Sequence, residues 1–574
     1  MEGMTLTWPD YIVILGTMCV STGIGIYYKF TGNRQRTTAE YFTANKSMGT
    51  LPVGIALMVT FISAVALLGI SSDSYTHGTM YVVFYIPFLL VVPIVCYGYY
   101  PIFYKLQLTS VFEYLKLRFG NFARSTTSWA NWVQLLLYSG ICLYAPALAL
   151  EVTAGLPQLW SIIALGVVCA FYSSIGGMKA VLVTDVFQGF LMLAAVFMVI
   201  ITAAWNVGGL GEIWRIAKEG GRLEINNFSL NPTERHSWWS LTFGGMTVLL
   251  SMNGVSQVQV QRLMTVKNLH SARKAMVINM IIHNLFGIAT CFAGLAIYSR
   301  YHDCDPKASG RITSNDQLMP FYIMDTLSQF PGLPGLFISG IFSAALSTIS
   351  ASLNSLAAIT LEDHVKPIYE KCWKRSISEP LMMKIGKSLA FAYGLVCIGI
   401  ALCGQFLGSV LQASLSINGC IGGTVLGIFT LGMLVESANE PGAVFGLLST
   451  LVFVMWISFG TPRPTPAELP ASITGCEFNI TSTPFNGISN FDGITREDDD
   501  NSTEDSAYFY LYRISYMWYS VIGFVGTFVV GFVASCIYRC FVAADDNEKK
   551  RLDPDLFFPV IASRIRHRHQ MQQS

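Results

Sequence analysis

Charge is what this sequence has least of. Only 12% of its 574 residues are Asp, Glu, Lys or Arg, where a soluble domain carries roughly 25%. The formal net charge is +1, so there is no basic field for a nucleic acid partner. No CxxC pair or Cys/His cluster marks a metal centre. No HExxH, GxSxG or P-loop pattern marks an enzyme or an ATP-driven pump. The opening residues, MEGMTLTWPD, lack the basic stretch of a cleaved signal peptide. The first apolar segment is therefore expected to stay as a membrane helix.

What fills the chain instead is apolar sequence, 52% of it. A bilayer span needs about 20 apolar residues. The pattern predicts an all-α polytopic membrane protein with about thirteen spans, near 9–30, 50–73, 80–104, 126–151, 156–173, 184–206, 239–260, 275–299, 333–361, 386–404, 407–433, 440–460 and 513–538. With the N-terminus outside and the C-terminus inside, 26 of the 36 Lys and Arg fall in inner loops and 10 in outer loops, as the positive-inside rule requires. The sequons at Asn227, Asn479 and Asn501 then face outward, where glycosylation is possible, and that at Asn45 faces inward. The outer loop 461–512 is rich in Pro, Asn and Asp and reads as solvated and mostly unstructured. Most of the 13 Cys lie in apolar segments as small hydrophobes. Cys304 and Cys476 fall in long polar outer loops, either paired across that face or as two free thiols. The tail ends in RIRHRH (564–569), which reads as solvated or as touching anionic lipid.

Polar residues inside apolar spans are the candidates for chemistry. The segment SAALSTISASLNS (343–355) places Ala344, Ser347 and Thr348 on one helical face, with Ala351 and Ser355 beyond. Such a face serves close helix packing, with hydroxyls bonding back to their own helix. It equally offers hard oxygens to a dehydrated alkali cation. The second span carries Thr60 and Ser63 at mid-depth. The seventh is polar through its centre and holds Gly254. They lie five spans apart, the separation that a five-plus-five inverted repeat with broken helices would give. Between the fifth and sixth spans Gly176-Gly177 makes a tight inner turn, and Asp185 and Gln188 share a face one turn apart. Asp185 either faces the helix dipole or lends a negative oxygen to a cation.

In combination these motifs resemble the sodium:solute symporter family. The residues carrying the resemblance are the 343–355 run, GGMKAV with TDVFQ (176–188), FISAV (61–65) and LTSVFEYLKLRF (108–119). YAPALAL (144–150), GVSQVQVQR (254–262), LPGLF (333–337) and LED (361–363) resemble the branch of multivitamin, monocarboxylate and iodide transporters. The resemblance spans roughly residues 10–460. It implies a LeuT-like core that works by alternating access. On that basis 1–49 holds an extra first helix and inner loop, 50–206 the first repeat, 207–238 an outer loop and 239–433 the second repeat. Two further helices with the glycosylatable loop fill 434–540, and 541–574 is a cytoplasmic tail.

The resemblance further implies sodium as the coupling ion, held by the carbonyls of Val59, Ile62 and Ala344 and the hydroxyls of Ser347 and Thr348. A second sodium maps onto Asp185 and Gln188, beside the same hydroxyls. The substrate slot is expected among Phe61, Ser63, Tyr85, Tyr138, Leu249, Asn253 and Leu415, an apolar lining with a few hydroxyl or amide groups. Sugar-transporting members carry polar residues where this chain has Phe61, Val65 and Ala66, which excludes sugar. The expected function is sodium-coupled import of a small organic anion, a monocarboxylate or a carboxylate-bearing vitamin such as biotin or pantothenate, at the plasma membrane. The alternatives are an iodide-like transporter, a sodium-gated uniporter or a non-transporting nutrient sensor. One departure weighs against an anion. The anion branch usually ends the second span with an Arg-aromatic pair, and here Thr76 and His77 stand in its place.

Overall fold

The structure, a computed structural model, describes residues 5–30, 38–404, 409–464, 466–476, 508–541 and 552–573. Inside a bilayer every backbone N–H and C=O must find its partner within the chain. Apolar stretches of this length accordingly appear as helices. In chain order they are α1 (Trp8–Phe30), α2 (Thr50–Phe61), α3 (Ala64–His77), α4 (Thr79–Leu106), α5 (Asn121–Ala154) and α6 (Gln158–Val207). There follow α7 (240–255), α8 (Gln257–Leu263), α9 (Leu269–Tyr301), α10 (Leu333–Trp373) and α11 (Glu379–Leu402). The last are α12 (Val410–Leu434), α13 (Glu440–Phe459), α14 (Met517–Phe541) and α15 (Pro559–Gln573). Among the described residues ten helices are long and apolar enough to cross a bilayer, or up to eleven if α2 and α3, bent by 61°, form one span.

The two other expected spans are helical but interrupted. The segment 156–173 is the first half of α6. The expected Gly176-Gly177 turn shrinks to one non-helical residue, Gly177 (φ 63, ψ 171), and the helix resumes at once. The segment 239–260 is split between α7 and α8. Its break falls at Ser256, extended at φ −70 and ψ 129, and not at Gly254. Gly254 lies against the Tyr99 ring instead.

Small residues set how closely the helices pack, as is common in lipid. A Cβ at Gly340 of α10 would lie 2.7 Å from Ala195 Cβ of α6. One at Gly446 of α13 would lie 2.6 Å from Gly531 Cα of α14. One at Gly294 of α9 would lie 2.3 Å from the Ser71 carbonyl oxygen of α3. The result is a core in which α10 and α12 are buried almost throughout, while α1 and α14 stand at the periphery.

The bundle has two polar faces. One carries a Cys304–Cys476 disulfide. The stretch 466–476 on this face is not loose as expected: backbone bonds tie Leu469 to Thr76, Asp305 to Ser472 and Gly475 to Asp303. The rest of the expected loop, with Asn479 and Asn501, lies outside the described residues. Asn227 is on this face too, with its amide nitrogen donating to Glu234 Oε2 (2.6 Å) and His236 O (3.0 Å). The opposite face carries the Arg124–Asp363 pair and residues 552–573. The expected solvated tail is instead a docked segment, because Leu556, Phe557, Ala562 and Ile565 are buried against the bundle.

Gly294 supports α3 where it lines the central cavities. Gly294→Ala should overpack this contact by about 1–3 kcal/mol and lower the thermal midpoint of detergent-purified protein. Light-scattering or fluorescence melts test this, and an unchanged midpoint would mean that α3 gives way freely at Ser71.

Candidate functional site

The break between α2 and α3 organises the centre of the bundle. Ile62 leaves the helix at φ −81 and ψ 83, and Ser63 is extended at φ −80 and ψ 175. The Ser63 amide turns back to Phe61 O (3.0 Å). Val59 O thereby loses the N–H that an unbroken helix would supply. Thr348 Oγ1 of α10 donates to the neighbouring carbonyl, Thr60 O, at 2.9 Å. The second half of α6 closes the third side: a Cβ at Gly189 would lie 2.7 Å from the Val59 side chain. Val59, Ile62, Ala344, Ser347 and Thr348 are all buried at this junction.

Asp185 and Gln188 project from α6 toward the same place. Asp185 accepts from Ser347 Oγ at 2.5 Å through Oδ1 and from Arg262 Nη2 at 2.8 Å through Oδ2. Asp185, Gln188 and Arg262 are each 0% exposed. Neither amide atom of Gln188 has a hydrogen-bond partner among the described residues, nor have Arg262 Nε and Nη1. Sequence reasoning brought Asp185 to Ser347 but missed Arg262, which it counted as a loop charge. The signal lay in its neighbours: GVSQVQVQR is too polar for a lipid-facing helix and too apolar for a loop.

Two cavities flank the break. The upper one, about 60 Å³, is lined by six of the seven expected slot residues, Phe61, Ser63, Tyr85, Tyr138, Leu249 and Leu415, together with Met252, His283 and Asn418. Asn253, the seventh, stands apart. It lines neither cavity and serves the broken helix: Nδ2 donates to Leu249 O (2.9 Å), and Oδ1 accepts from Gln259 (3.1 Å). The lower cavity, about 30 Å³, is the more polar of the two. Asn131 donates to Gln134 (3.1 Å) and Gln134 to Asn418 (2.9 Å), a chain of amides along its wall. Thr348 and Ser352 also face it. Asn131 and Gln134 lie three apart on one face of α5, a spacing that was the available signal, whereas Asn418 has no amide three or four positions away in α12.

α3 and α12 continue past the upper cavity to a wider one, about 600 Å³, on the disulfide face. Its wall carries Asp73, His77, Arg235, Lys307, Asp316, Gln412, Arg463 and Glu468. Arg235 spans it, reaching Asp73 of α3 at 2.8 Å and Gln412 of α12 at 2.9 Å. The cation missing at position 76 is therefore supplied here from the 208–238 loop, 162 positions away from Asp73. His236, beside it, is buried, and burial pulls its imidazole down to about 3. Asp316 accepts from the Val410 amide at 3.1 Å, and burial pushes its carboxyl up to about 6. On the opposite face Asp363 takes Arg124 Nε at 2.7 Å and Ser110 Oγ at 2.7 Å.

A helix break facing hydroxyls beneath a wide polar-walled cavity is the arrangement of an ion-coupled carrier, and the comparisons agree. Residues 41–449 match the sodium:solute symporter family. A Drosophila melanogaster protein provisionally named a sodium-dependent multivitamin transporter is 46% identical over 98% of this chain and 93% of its own. The Homo sapiens sodium-coupled monocarboxylate transporter 1 is 39% identical over 96% of this chain and 89% of its own. Among solved structures, the substrate-bound outward-open state of a Na+-coupled sialic acid symporter superposes with a TM-score of 0.74 at 22% identity, covering 92% of this chain and 98% of that one. That likeness speaks for the fold, which is the LeuT type. The chain is a multi-pass, non-enzymatic transport protein with sodium as coupling ion, and it belongs to the sodium:solute symporter family.

Proposed function

We propose that the chain is a sodium-coupled importer of a small organic anion at the plasma membrane, with the disulfide face outside and the tail face inside. It would run as thirteen helices, with 50–206 and 239–433 as inverted repeats. The observation that carries this reading is the α2–α3 break set against Ser347 and Thr348. A dehydrated sodium ion wants several hard oxygens, and the freed Val59 carbonyl, the Ile62 and Ala344 carbonyls and the two hydroxyls would supply them. Sodium there holds α2 to α10 and favours the outward-open state. The substrate then enters the slot by Phe61, Ser63, Tyr138 and Leu415, with hydroxyl and amide groups for its carboxylate and an apolar wall for its body. The slot's small volume favours a short monocarboxylate over a bulky vitamin, although the relatives' names include both.

Energetics allow concentrative uptake. A tenfold sodium gradient supplies about 1.4 kcal/mol per ion, and 60 mV adds roughly another 1.4 kcal/mol per charge. Two ions would thus concentrate a neutral solute by about 10⁴-fold, and a monoanion by about tenfold less.

Uptake of labelled lactate, pyruvate, butyrate, biotin, pantothenate and iodide in sodium and in choline buffer tests the function. Sodium-dependent accumulation of one carboxylate is expected. Accumulation of iodide alone would favour the inorganic-anion reading, and equilibration without accumulation a uniporter. No uptake with protein at the surface would favour a sensor.

The paired substitution Ser347→Ala/Thr348→Ala should abolish the sodium dependence of that uptake. Normal sodium activation in the double variant would remove both hydroxyls from the ion site.

Asp185 needs a different test, because Arg262 is buried against it. Asp185→Asn alone strands a buried guanidinium, at a cost of about 3–5 kcal/mol, and should lower the amount of protein at the surface. Asp185→Asn with Arg262→Gln should recover that amount. If Asp185 holds a second sodium, the Hill slope for sodium falls toward one in the double variant; an unchanged slope leaves Asp185 a structural partner of Arg262 only.

Asp316 gives the pH dependence. Its folded-state pKa stands above the free value, so proton binding stabilises the folded form at low pH, and that contribution is lost as pH rises through about 6. Lowering external pH from about 7.5 to about 5.5 removes one negative charge from a cavity that also faces Asp73, Glu468, His77, Arg235, Lys307 and Arg463. Anion uptake at low substrate should rise about two- to fivefold. Asp316→Asn should show the higher rate already at the upper pH, with a flattened profile. A profile that survives the substitution would assign the dependence to another group.

A further inference from the structure

We propose that residues 552–573 form a latch that holds the tail-face gate shut, so that the chain's own C-terminal segment controls access to the lower cavity. This rests on the alternating-access reading above.

The lower cavity ends at an aromatic plug. Val425 of α12 lines the cavity. One helical turn further, Phe429 stacks on Tyr114 (5.5 Å between centroids) and meets Phe103 (6.2 Å) and Phe112 (6.0 Å). Thr430 bonds the Tyr99 hydroxyl of α4 at 2.7 Å. These contacts join α4 of the first repeat to α12 of the second directly below the cavity. A path from the cavity to this face cannot open between those helices while they hold.

The C-terminal segment forms the outermost layer of the plug and touches both sides of it. On the α4 side, the Phe558 ring stands edge-on to Tyr99 at 5.0 Å and covers Gly98, where a Cβ would meet it at 3.3 Å. Asp555 pairs with Lys105. On the α12 side, the Phe558 amide donates to Met433 O at 3.1 Å, and Arg568 pairs with Glu436 at 2.8 Å. Between them, the helix Glu113–Arg118 is held by Tyr114 donating to Leu556 O (3.1 Å) and Arg118 lying over the Phe557 ring (4.9 Å). Phe557 is 2% exposed, whereas the Lys105–Asp555 pair is half open to solvent. Exposed ion pairs contribute little, so the anchor is apolar and the charges set its register. One segment that bridges two helices across a closed gate biases the closed state by whatever affinity it loses when they separate.

The test is thiol accessibility in the full-length chain. The exposed Cys19, Cys372, Cys403, Cys536 and Cys540 are replaced by Ser, and Val425→Cys is added as reporter. A membrane-impermeant methanethiosulfonate is applied to inside-out vesicles in sodium-free buffer. Three changes are compared with the parent: truncation after Phe541, Phe557→Ala/Phe558→Ala, and Gly98→Val, which displaces Phe558 from the opposite side. Each should speed labelling about tenfold, with similar surface amounts. Equal labelling rates in the parent, the truncation and the Phe variant overturn the latch. Gly98→Val guards against a general loosening from truncation: faster labelling in the truncated chain alone also overturns it. Failure of the symport reading is separate, since it shows as absent sodium-dependent uptake in the unmodified chain and leaves the labelling comparison intact.

Discussion

Everything at the centre of this protein depends on two residues that leave the helix at mid-depth. Ile62 and Ser63 break α2 from α3 deep inside the bundle, between two small cavities. In hydrocarbon an unpaired carbonyl costs several kcal/mol. The surrounding helices are arranged around that cost. Thr348 comes to Thr60 O, Gly189 lets α6 close on Val59, and Gly294 lets α9 close on the far side of α3. The Val59 oxygen that the break leaves without its helical partner is the kind of hard ligand that the proposed sodium site would use.

The charges nearby follow the same logic. Asp185, Arg262 and Ser347 form a dry cluster in which each group limits the others. A guanidinium already sits on one carboxylate oxygen, so a second cation at Asp185 has to share it or displace it. α8, which carries Arg262, is the short half of a broken span, whereas α6 and α10 are long and α10 is buried almost throughout. A change in who holds Asp185 is therefore felt as a change in how α8 sits against them.

Much of this was legible in the sequence, and the limits are physical. Span positions follow from local hydropathy, and among the described residues ten helices, or eleven with the bent α2–α3 pair, are long and apolar enough to cross a bilayer. The Ser347–Thr348 face follows from helical periodicity. Six of seven slot residues line one cavity. What stayed hidden are pairings between distant segments, since nothing in Arg235 or Arg262 names its partner on another helix. A polar residue at a break can satisfy either a ligand or the broken backbone, and Asn253 bonds the backbone at Leu249 O. The docked tail was read as solvated because its basic end dominated. The cluster Leu556-Phe557-Phe558, bounded by Pro554 and Pro559, was the available signal of a short buried anchor.

Gly177 carries a consequence for how motion is distributed. At φ 63 and ψ 171 it occupies backbone space essentially closed to residues with a Cβ. It is the sole non-helical residue between the two halves of α6, and Asp185 lies just two turns beyond it. The two halves thus share a joint with two free torsions and no slack in length. A half that tilts must swing its neighbour about a fixed point, as a crank does, so displacement near Gly177 stays small while the far ends travel. The Asp185 carboxylate, bonded to Arg262 and Ser347, sits close to the pivot, where a tilt of either half displaces it least.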